Sequence, residues 1–249
     1  MKPNSLTAIL AAAMMSFAAP VLADTGNIPP GDPCGDGNGA GTGNPCGGNN
    51  GNSGENGNAG FTFEEIAVPV QEDRGAFISQ IGSGNTAEAD QQGTSAYARV
   101  IQNGDANQVD LRQDDGNHYT EIAQDGDSNT VFAGQDGNGQ AALLLAQRGS
   151  GNSAELSQFE SGDLYSAAAI SQSGSGNRLN LVQDGSDNQA RLAQSGDNNI
   201  MTATQLGAGN RLEWTQNGSG LSDLQITQDG GQALQITQTN TGAPPPSGN

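Results

Sequence analysis

The sequence is poor in the residues from which an ordinary globular core is built. Leu, Ile, Val and Phe together number 41 of 249, about 16%, and aromatic residues make up only 4%, with a single Trp. That lies below the roughly 20% at which strong net charge usually accompanies disorder. Cations are scarcer still: one Lys and seven Arg face 27 acidic residues, giving a formal charge of −19. Nucleic acid and anionic membrane surfaces demand clustered Lys and Arg, so both are excluded as expected partners. After the first 23 residues no apolar run approaches the length needed to insert into a membrane. Length alone allows one or two domains. Two readings survive these absences. Either the chain is disordered, or it economises on apolar residues by repeating a small unit.

The first 23 residues read as a secretory signal peptide. Lys2 is followed by an apolar run from Leu6 to Phe17, and Val21-Leu22-Ala23 places small residues at the −3 and −1 positions of a cut before Asp24. The protein is therefore expected to be exported. Residues 24–60 are Gly/Asn-rich, low in complexity, and expected to be disordered. They contain Cys34 and Cys46, which in an oxidising compartment read as one disulfide closing a small loop. Free thiols stand as an alternative, as does a metal site, which needs two further ligands. Residues 61–75 alternate enough apolar positions for a linker, a short strand or a cap over the amino end of the region 76–238. Residues 239–249, with Pro244-Pro245-Pro246, read as a disordered tail.

The informative region is 76–238. Gln recurs at 80, 91, 102, 113, 124, 135, 147, 158, 172, 183, 194, 205, 216, 228 and 238, and ten of the fourteen intervals are eleven residues. Gly follows two residues later in twelve of fourteen cases, Asp115 and Glu160 being the exceptions. Such regularity makes a repeat the first thing to explain. Two positions before every Gln stands an apolar residue, from Ile78 to Ile236. Four positions before, fourteen of fifteen are apolar, with Thr120 the exception. The positions between are mainly polar or charged, which is the period-2 pattern of a half-buried strand. An eleven-residue helical repeat is excluded because a Gly in nearly every unit costs about 1 kcal/mol each time.

A second regularity doubles the unit. Asn stands five residues after alternate glutamines, as Asn85, Asn107, Asn129, Asn152, Asn177 and Asn199, and after the other set only at Asn188 and Asn210. One coil is therefore two strands and about 22 residues. The expected fold is all-β, a two-sheet β-solenoid of stacked strand-turn-strand coils. Its register sets Arg99 beside Glu121, Arg191 beside Glu213 and Asp90 beside Arg112, with Glu88 beside Asp110 as an unfavourable pair. Gln and Asn would then stack about 4.8 Å apart. A primary amide in such a column donates to one neighbour and accepts from the other. The alternative, that these amides merely end strands and fill turns, accounts for Asn but not for fifteen spaced Gln.

The motif resembles that of a known family. Gln80-x-Gly82-x-x-Asn85-x-Ala87-x-x-x-Gln91, Gln147-x-Gly149-x-x-Asn152-x-Ala154-x-x-x-Gln158 and Gln183-x-Gly185-x-x-Asn188-x-Ala190-x-x-x-Gln194 match the curlin repeat in full. Other units differ only by Val109, Val131, Leu179, Met201 or Leu212 at the Ala position. Curlins are secreted subunits of curli, the functional amyloid fibres of bacterial biofilms. The resemblance implies a fibre subunit that polymerises with itself and with other curlin subunits, in adhesion and biofilm matrix. It also implies an outer-membrane secretion channel, engaged through 24–60, and periplasmic chaperones as partners. No catalytic residue and no cofactor is expected. The chain departs from the usual major subunit in its number of coils (about seven), its Cys pair and its Pro-rich tail. The last coil lacks the basic residues of a nucleating subunit. Asp114, Asp125, Asp136, Asp184 and Asp229, each following a ladder Gln, would restrain premature assembly.

Other classes fit less well. Acidic turns such as Asp125-Gly126-Asp127 offer oxygen ligands for Ca²⁺ in a non-polymerising surface-binding solenoid, but the Asp positions vary between coils. Thr204, Thr215, Thr227 and Thr237 alternate between sheets and build no flat ice-binding array. A thin solenoid lacks the concave pocket that an enzyme needs. His118 reads as a turn residue in place of Asn, and Trp214 as an oversized core residue or end plug.

Overall fold

The computed structural model describes residues 63–68, 74–93 and 95–240. The signal segment, residues 24–60 with Cys34 and Cys46, and the tail from 241 lie outside the described residues. From 75 onward the chain is a succession of fifteen strands: β1 (Gly75–Ile81), β2 (Thr86–Gln91), β3 (Tyr97–Asn103), β4 (Gln108–Gln113), β5 (Tyr119–Asp125), β6 (Thr130–Asp136), β7 (Ala141–Ser150), β8 (Ser153–Phe159), β9 (Ser166–Ser175), β10 (Arg178–Asp184), β11 (Gln189–Ser195), β12 (Ile200–Leu206), β13 (Arg211–Asn217), β14 (Ile226–Asp229) and β15 (Ala233–Thr239). Odd strands form one eight-stranded parallel sheet and even strands a seven-stranded one, each in sequence order. Every Gln pairs with the Gln one coil on, from Gln80↔Gln102 in the first sheet to Gln205↔Gln228 in the second.

The alternation read from the sequence decides which side chains enter the core. In β5 Thr120, Ile122 and Gln124 point inward, and in β4 Val109, Leu111 and Gln113 do the same. The resulting core is one continuous column of paired apolar positions, with Val100, Leu111, Ile122, Leu145, Ile170, Leu181, Leu192 and Trp214 all buried. Ile78 and Leu234 are exposed in the two end strands, and Leu224 is exposed for a different reason. The last turn is irregular, Gln225 takes a positive φ, β14 shortens to four residues, and Leu224 is left exposed outside the strand.

The turns explain why Gly is so regular. Gly104 has φ +116, and a Cβ there would stand 2.2 Å from the carbonyl oxygen of Gly126 in the next coil. The same approach recurs up the stack, so the position is closed by both conformation and space. Two residues later a left-handed φ near +56 is tolerated by Ala106, Ser128 and Asn198, because only the milder αL cost applies.

Register and salt bridges agree only in part. Arg99↔Glu121, Arg191↔Glu213, Asp90↔Arg112 and Glu88↔Asp110 are neighbours as expected. Arg148 meets its register neighbour Asp125 at 3.5 Å, yet Arg112 turns to Asp114 at 2.6 Å and Arg211 to Asp187 at 2.7 Å. Arg191 donates to the main-chain carbonyl of Glu64. Exposed Arg side chains choose among several nearby acceptors at little energetic difference, so strand register does not fix the partner.

That last contact belongs to a strap. Residues 63–68 form no strand and do not cover β1; they lie along the outer face of the eight-stranded sheet. Ile66 is buried there against Tyr119, Ala142, Ala167 and Ala169. Its N–H donates to Gln189 Oε1 at 2.8 Å, and Tyr165 OH donates to its carbonyl at 3.0 Å. The strap follows an apolar stripe that β5, β7 and β9 expose outward, with Phe77, Tyr97 and Tyr119 stacked at 5.6 and 5.2 Å beside it.

Candidate assembly site: amide ladders and open edges

All fifteen repeat glutamines join two ladders. Along the odd strands run Gln80, Gln102, Gln124, Gln147, Gln172, Gln194, Gln216 and Gln238, each but the last donating Nε2 to the Oε1 of the next, at 2.7 to 2.9 Å. Along the even strands Gln91, Gln113, Gln135, Gln158, Gln183, Gln205 and Gln228 are linked likewise. Between Gln102 and Gln228 these amides are fully buried. Unpaired, each would carry a desolvation cost of about 1–3 kcal/mol per polar atom; the column removes it.

The sequence did not reveal where the second amide hydrogen goes. In every rung from Gln102 to Gln238 it crosses the core to a main-chain carbonyl on the opposite side, as in Gln102 Nε2 to Thr86 O (2.9 Å) and Gln147 Nε2 to Thr130 O (3.1 Å). The even ladder makes the same bond, for example Gln205 Nε2 to Gln189 O at 3.1 Å. Each Gln therefore stacks along the axis and ties the two sheets together. Gln uses both N–H groups at once, which neither Glu nor an alkyl chain could do.

The asparagines form a column of opposite polarity at one turn. Asn107, Asn129, Asn152, Asn177 and Asn199 each offer the backbone N–H to the Oδ1 of the preceding Asn, starting from Asn85. Their Nδ2 groups reach forward to the Gly carbonyl of the next coil, as Asn129 does to Gly149 O at 2.9 Å. At the other turn Asn188 and Asn210 repeat the pattern.

His118 takes the Asn place in that second turn, as its spacing suggested. Nδ1 accepts the Ala141 N–H at 3.2 Å, and Nε2 lies 2.8 Å from the Asp114 carbonyl, which fixes the neutral Nε2–H tautomer. Burial holds its pKa below the ordinary imidazole value, against the opposing pull of the Asp114 carbonyl and of Asp136, Asp114 and Asp115. Glu160 stands where Gly is missing, in the longest interval. It is buried, accepts from Ser166 Oγ and Gly162 N–H, and burial pushes its carboxyl above the usual range. Ser166 Oγ in turn receives the Asn188 N–H at 3.1 Å. Trp214 is a core residue, and its Nε1–H feeds the ladder at Gln238 Oε1, 3.0 Å away. Thr120, the polar intruder among the inward positions, donates to Gln135 Oε1 at 2.7 Å.

Three of the four ladder ends are open among the described residues; the fourth, Gln228, is buried and turns its Nε2 to the Gln232 carbonyl at 3.1 Å. At the amino end Gln80 is exposed, as are Phe77, Ile78 and Ile81. At the carboxyl end Leu234 and Leu224 are exposed, and no described strand lies beyond β14 or β15. Such unpaired edges template further strands.

Residues 177–207, from Asn177 before β10 to Gly207 after β12, match the family described as curlin associated repeat. No curated protein and no solved structure matches the chain. The matched stretch contains three successive strands, two Gln of one ladder and one of the other, all in the geometry that recurs through the rest of the solenoid. The chain carries the curlin-associated repeat and builds from it a parallel two-sheet β-solenoid.

Proposed function

We propose that the protein is a secreted structural subunit of curli-like functional amyloid fibres, which grows by adding further copies of the same cross-β stack. The observation that supports this most strongly is the open ends: Gln80 and Gln91 accept from no described rung, and Gln238 donates to none, whereas Gln228 turns its Nε2 to the Gln232 carbonyl. A rung at the end of a ladder has donors or acceptors that only another rung satisfies in the same geometry. Addition of a copy extends backbone pairing, ladder and apolar column together. The role is structural, in adhesion and biofilm matrix at the bacterial surface. The reading includes export through the periplasm, with the Gly/Asn-rich segment engaging a curli-type outer-membrane channel and chaperones on the way. The test is assembly of the purified chain from Asp24 onward. Fibres that bind amyloid dye and give a meridional reflection at about 4.7 Å support it; a chain that stays monomeric and dye-negative through prolonged incubation refutes it.

A further inference from the structure

Resting on the fibre reading above, we propose that successive copies in the fibre are related by a half-turn about the solenoid axis, so that the eight-stranded sheet of one copy continues into the seven-stranded sheet of the next. The ground for this is that the strand count among the described residues is odd. Strands alternate strictly between the two sheets, and the solenoid begins and ends in the same one, with β1 and β15. If a second copy stacks without rotation, its β1 lies on β15, and one strand is missing between β14 and its β2. That gap exposes core and breaks the even ladder. With a half-turn the incoming β1 lies on β14 and the incoming β2 on β15, and no strand is missing.

The interior of the chain already uses this operation from one strand to the next. Both ladders are built alike: each buried ladder Gln before Gln228 donates forward to the Gln one coil on and across to a main-chain carbonyl at the start of the preceding strand. The bond is the same in the odd sheet (Gln124 Nε2 to Gln108 O) and in the even one (Gln135 Nε2 to Tyr119 O). Every strand thus follows its predecessor by a half-turn and half a layer of rise. Fifteen such steps bring the next copy in rotated.

Among the described residues neither flank of the solenoid supplies the missing strand. The residues where a sixteenth strand would fall include Pro244, Pro245 and Pro246, which have no N–H to donate to a ladder. The strap at 63–68 lies on the outer face of the eight-stranded sheet, bonded to Gln189. It does not occupy the place of a strand before β1. The contacts created by the half-turn are also well matched. Gln228 meets Gln80, exchanging its bond to the Gln232 carbonyl for the Gln80 Oε1, and Gln238 meets Gln91, while inward Ile226 covers the exposed Ile78, and Ile236 covers Ala89. With strands about 4.8 Å apart, each copy rises by seven and a half layers, about 36 Å. Straps of successive copies then emerge on alternate sides of the fibre.

Disulfide trapping in fibres tests the relation. In a Cys34→Ser/Cys46→Ser background, Ser79→Cys with Thr227→Cys places the two thiols on neighbouring strands only after a half-turn. Ser79→Cys with Thr237→Cys does so only without one. All three positions are exposed, and aligned neighbours lie within the Cα separation of about 4.4–6.8 Å that a disulfide spans. Mild oxidation is expected to link the first pair into covalent ladders of many chains and to leave the second at the background of single-Cys controls. The reverse result, or equal linkage of both pairs, overturns the half-turn while leaving the fibre reading intact. Failure of the background chain itself to form fibres removes both. Should the Cys variants alone fail to assemble, cryo-EM of unmodified fibres decides. A subunit rotation near a half-turn plus accumulated coil twist supports the proposal, and a rotation given by coil twist alone refutes it.

Discussion

A single buried rung measures what the ladder contributes. Gln147 is buried at the middle of the longer ladder, and Gln147→Met keeps its length while removing its amide. Three hydrogen bonds go: from Gln124 Nε2 (2.8 Å), to Gln172 Oε1 (2.8 Å), and across the core to Thr130 O (3.1 Å). Intramolecular hydrogen bonds contribute about 0.5–1.5 kcal/mol net, but atoms left buried and unpaired cost about 1–3 kcal/mol each. Gln124 keeps one bond, to Gln108 O, so its loss is partial, whereas Gln172 Oε1 and Thr130 O lose a ladder donor outright. Allowing for the apolar surface that Met adds, the expected loss is about 3–5 kcal/mol. Gln80→Met is the control. It removes one bond, to Gln102 Oε1, at the exposed end where water substitutes, and is expected to cost under about 1 kcal/mol. Urea titration of freshly prepared monomer, followed by far-UV circular dichroism and Trp214 fluorescence, reads both. At a slope of about 2 kcal/mol per M the central variant shifts the midpoint down by about 2 M. Equal losses for the two variants, within about 0.5 kcal/mol, refute a ladder whose value depends on burial.

The turns, the histidine and the strap each give a further test. Gly104→Ala forces a Cβ against Gly126 O at φ +116 and is expected to cost at least about 3 kcal/mol, whereas Ala106→Gly, at φ 56, relieves the αL penalty and gains about 1 kcal/mol; denaturant midpoints of the two variants should move in opposite directions. His118 is held neutral with its pKa depressed by burial. Its contribution is therefore present above the unfolded value of about 6.5 and lost as pH falls through the lower folded one. Stability measured at pH 7.5 and pH 5 should fall less in His118→Asn, which restores the repeat amide; an unchanged pH dependence counts against the neutral tautomer. Glu160 has the opposite sign. Its raised pKa means that ionisation works against the fold above about pH 4.5, so stability should rise less steeply toward neutral pH than without it, and Glu160→Gln should remove that pH dependence, as read by the same titration. Ile66→Ala removes most of the strap's buried side chain, at about 2–4 kcal/mol; hydrogen exchange at the residue 66 amide should accelerate by at least about 30-fold while the Leu145 and Leu192 amides keep their protection.

Much of this architecture is legible in the order of residues, for an identifiable reason. In a parallel stack each residue meets its counterpart one coil on, so a column in space is a period in sequence. The Gln spacing gave the strand, the Asn spacing gave the coil, and together they gave a register that holds at every pair from Gln80↔Gln102 to Gln216↔Gln238. His118 could be placed for the same reason, since it occupies an Asn position. What does not repeat was not legible. Arg112 chose Asp114 over Asp90 because exposed ion pairs differ by tenths of a kcal/mol and leave no periodic trace. Glu160 stood out only as a missing Gly in a long interval; its burial and its bond to Ser166 depend on how that one irregular turn closes.

The sequence by itself therefore determined the strand, the coil, the inward set and the two columns of amides, because each follows from a repeat of local pattern. The tertiary structure decided where single groups reach across that pattern. It sent the second hydrogen of each Gln through the core to the opposite sheet. It laid 63–68 on an outer face that only the neighbouring strands of β5 to β11 create together. It also shortened β14 to four residues at its irregular turn, in a stack of fifteen strands among the described residues. The scarcity of apolar residues with which the sequence begins is thus a matter of geometry: a core two side chains wide needs few of them, and buried amides fill the rest once every one has a neighbour above and below.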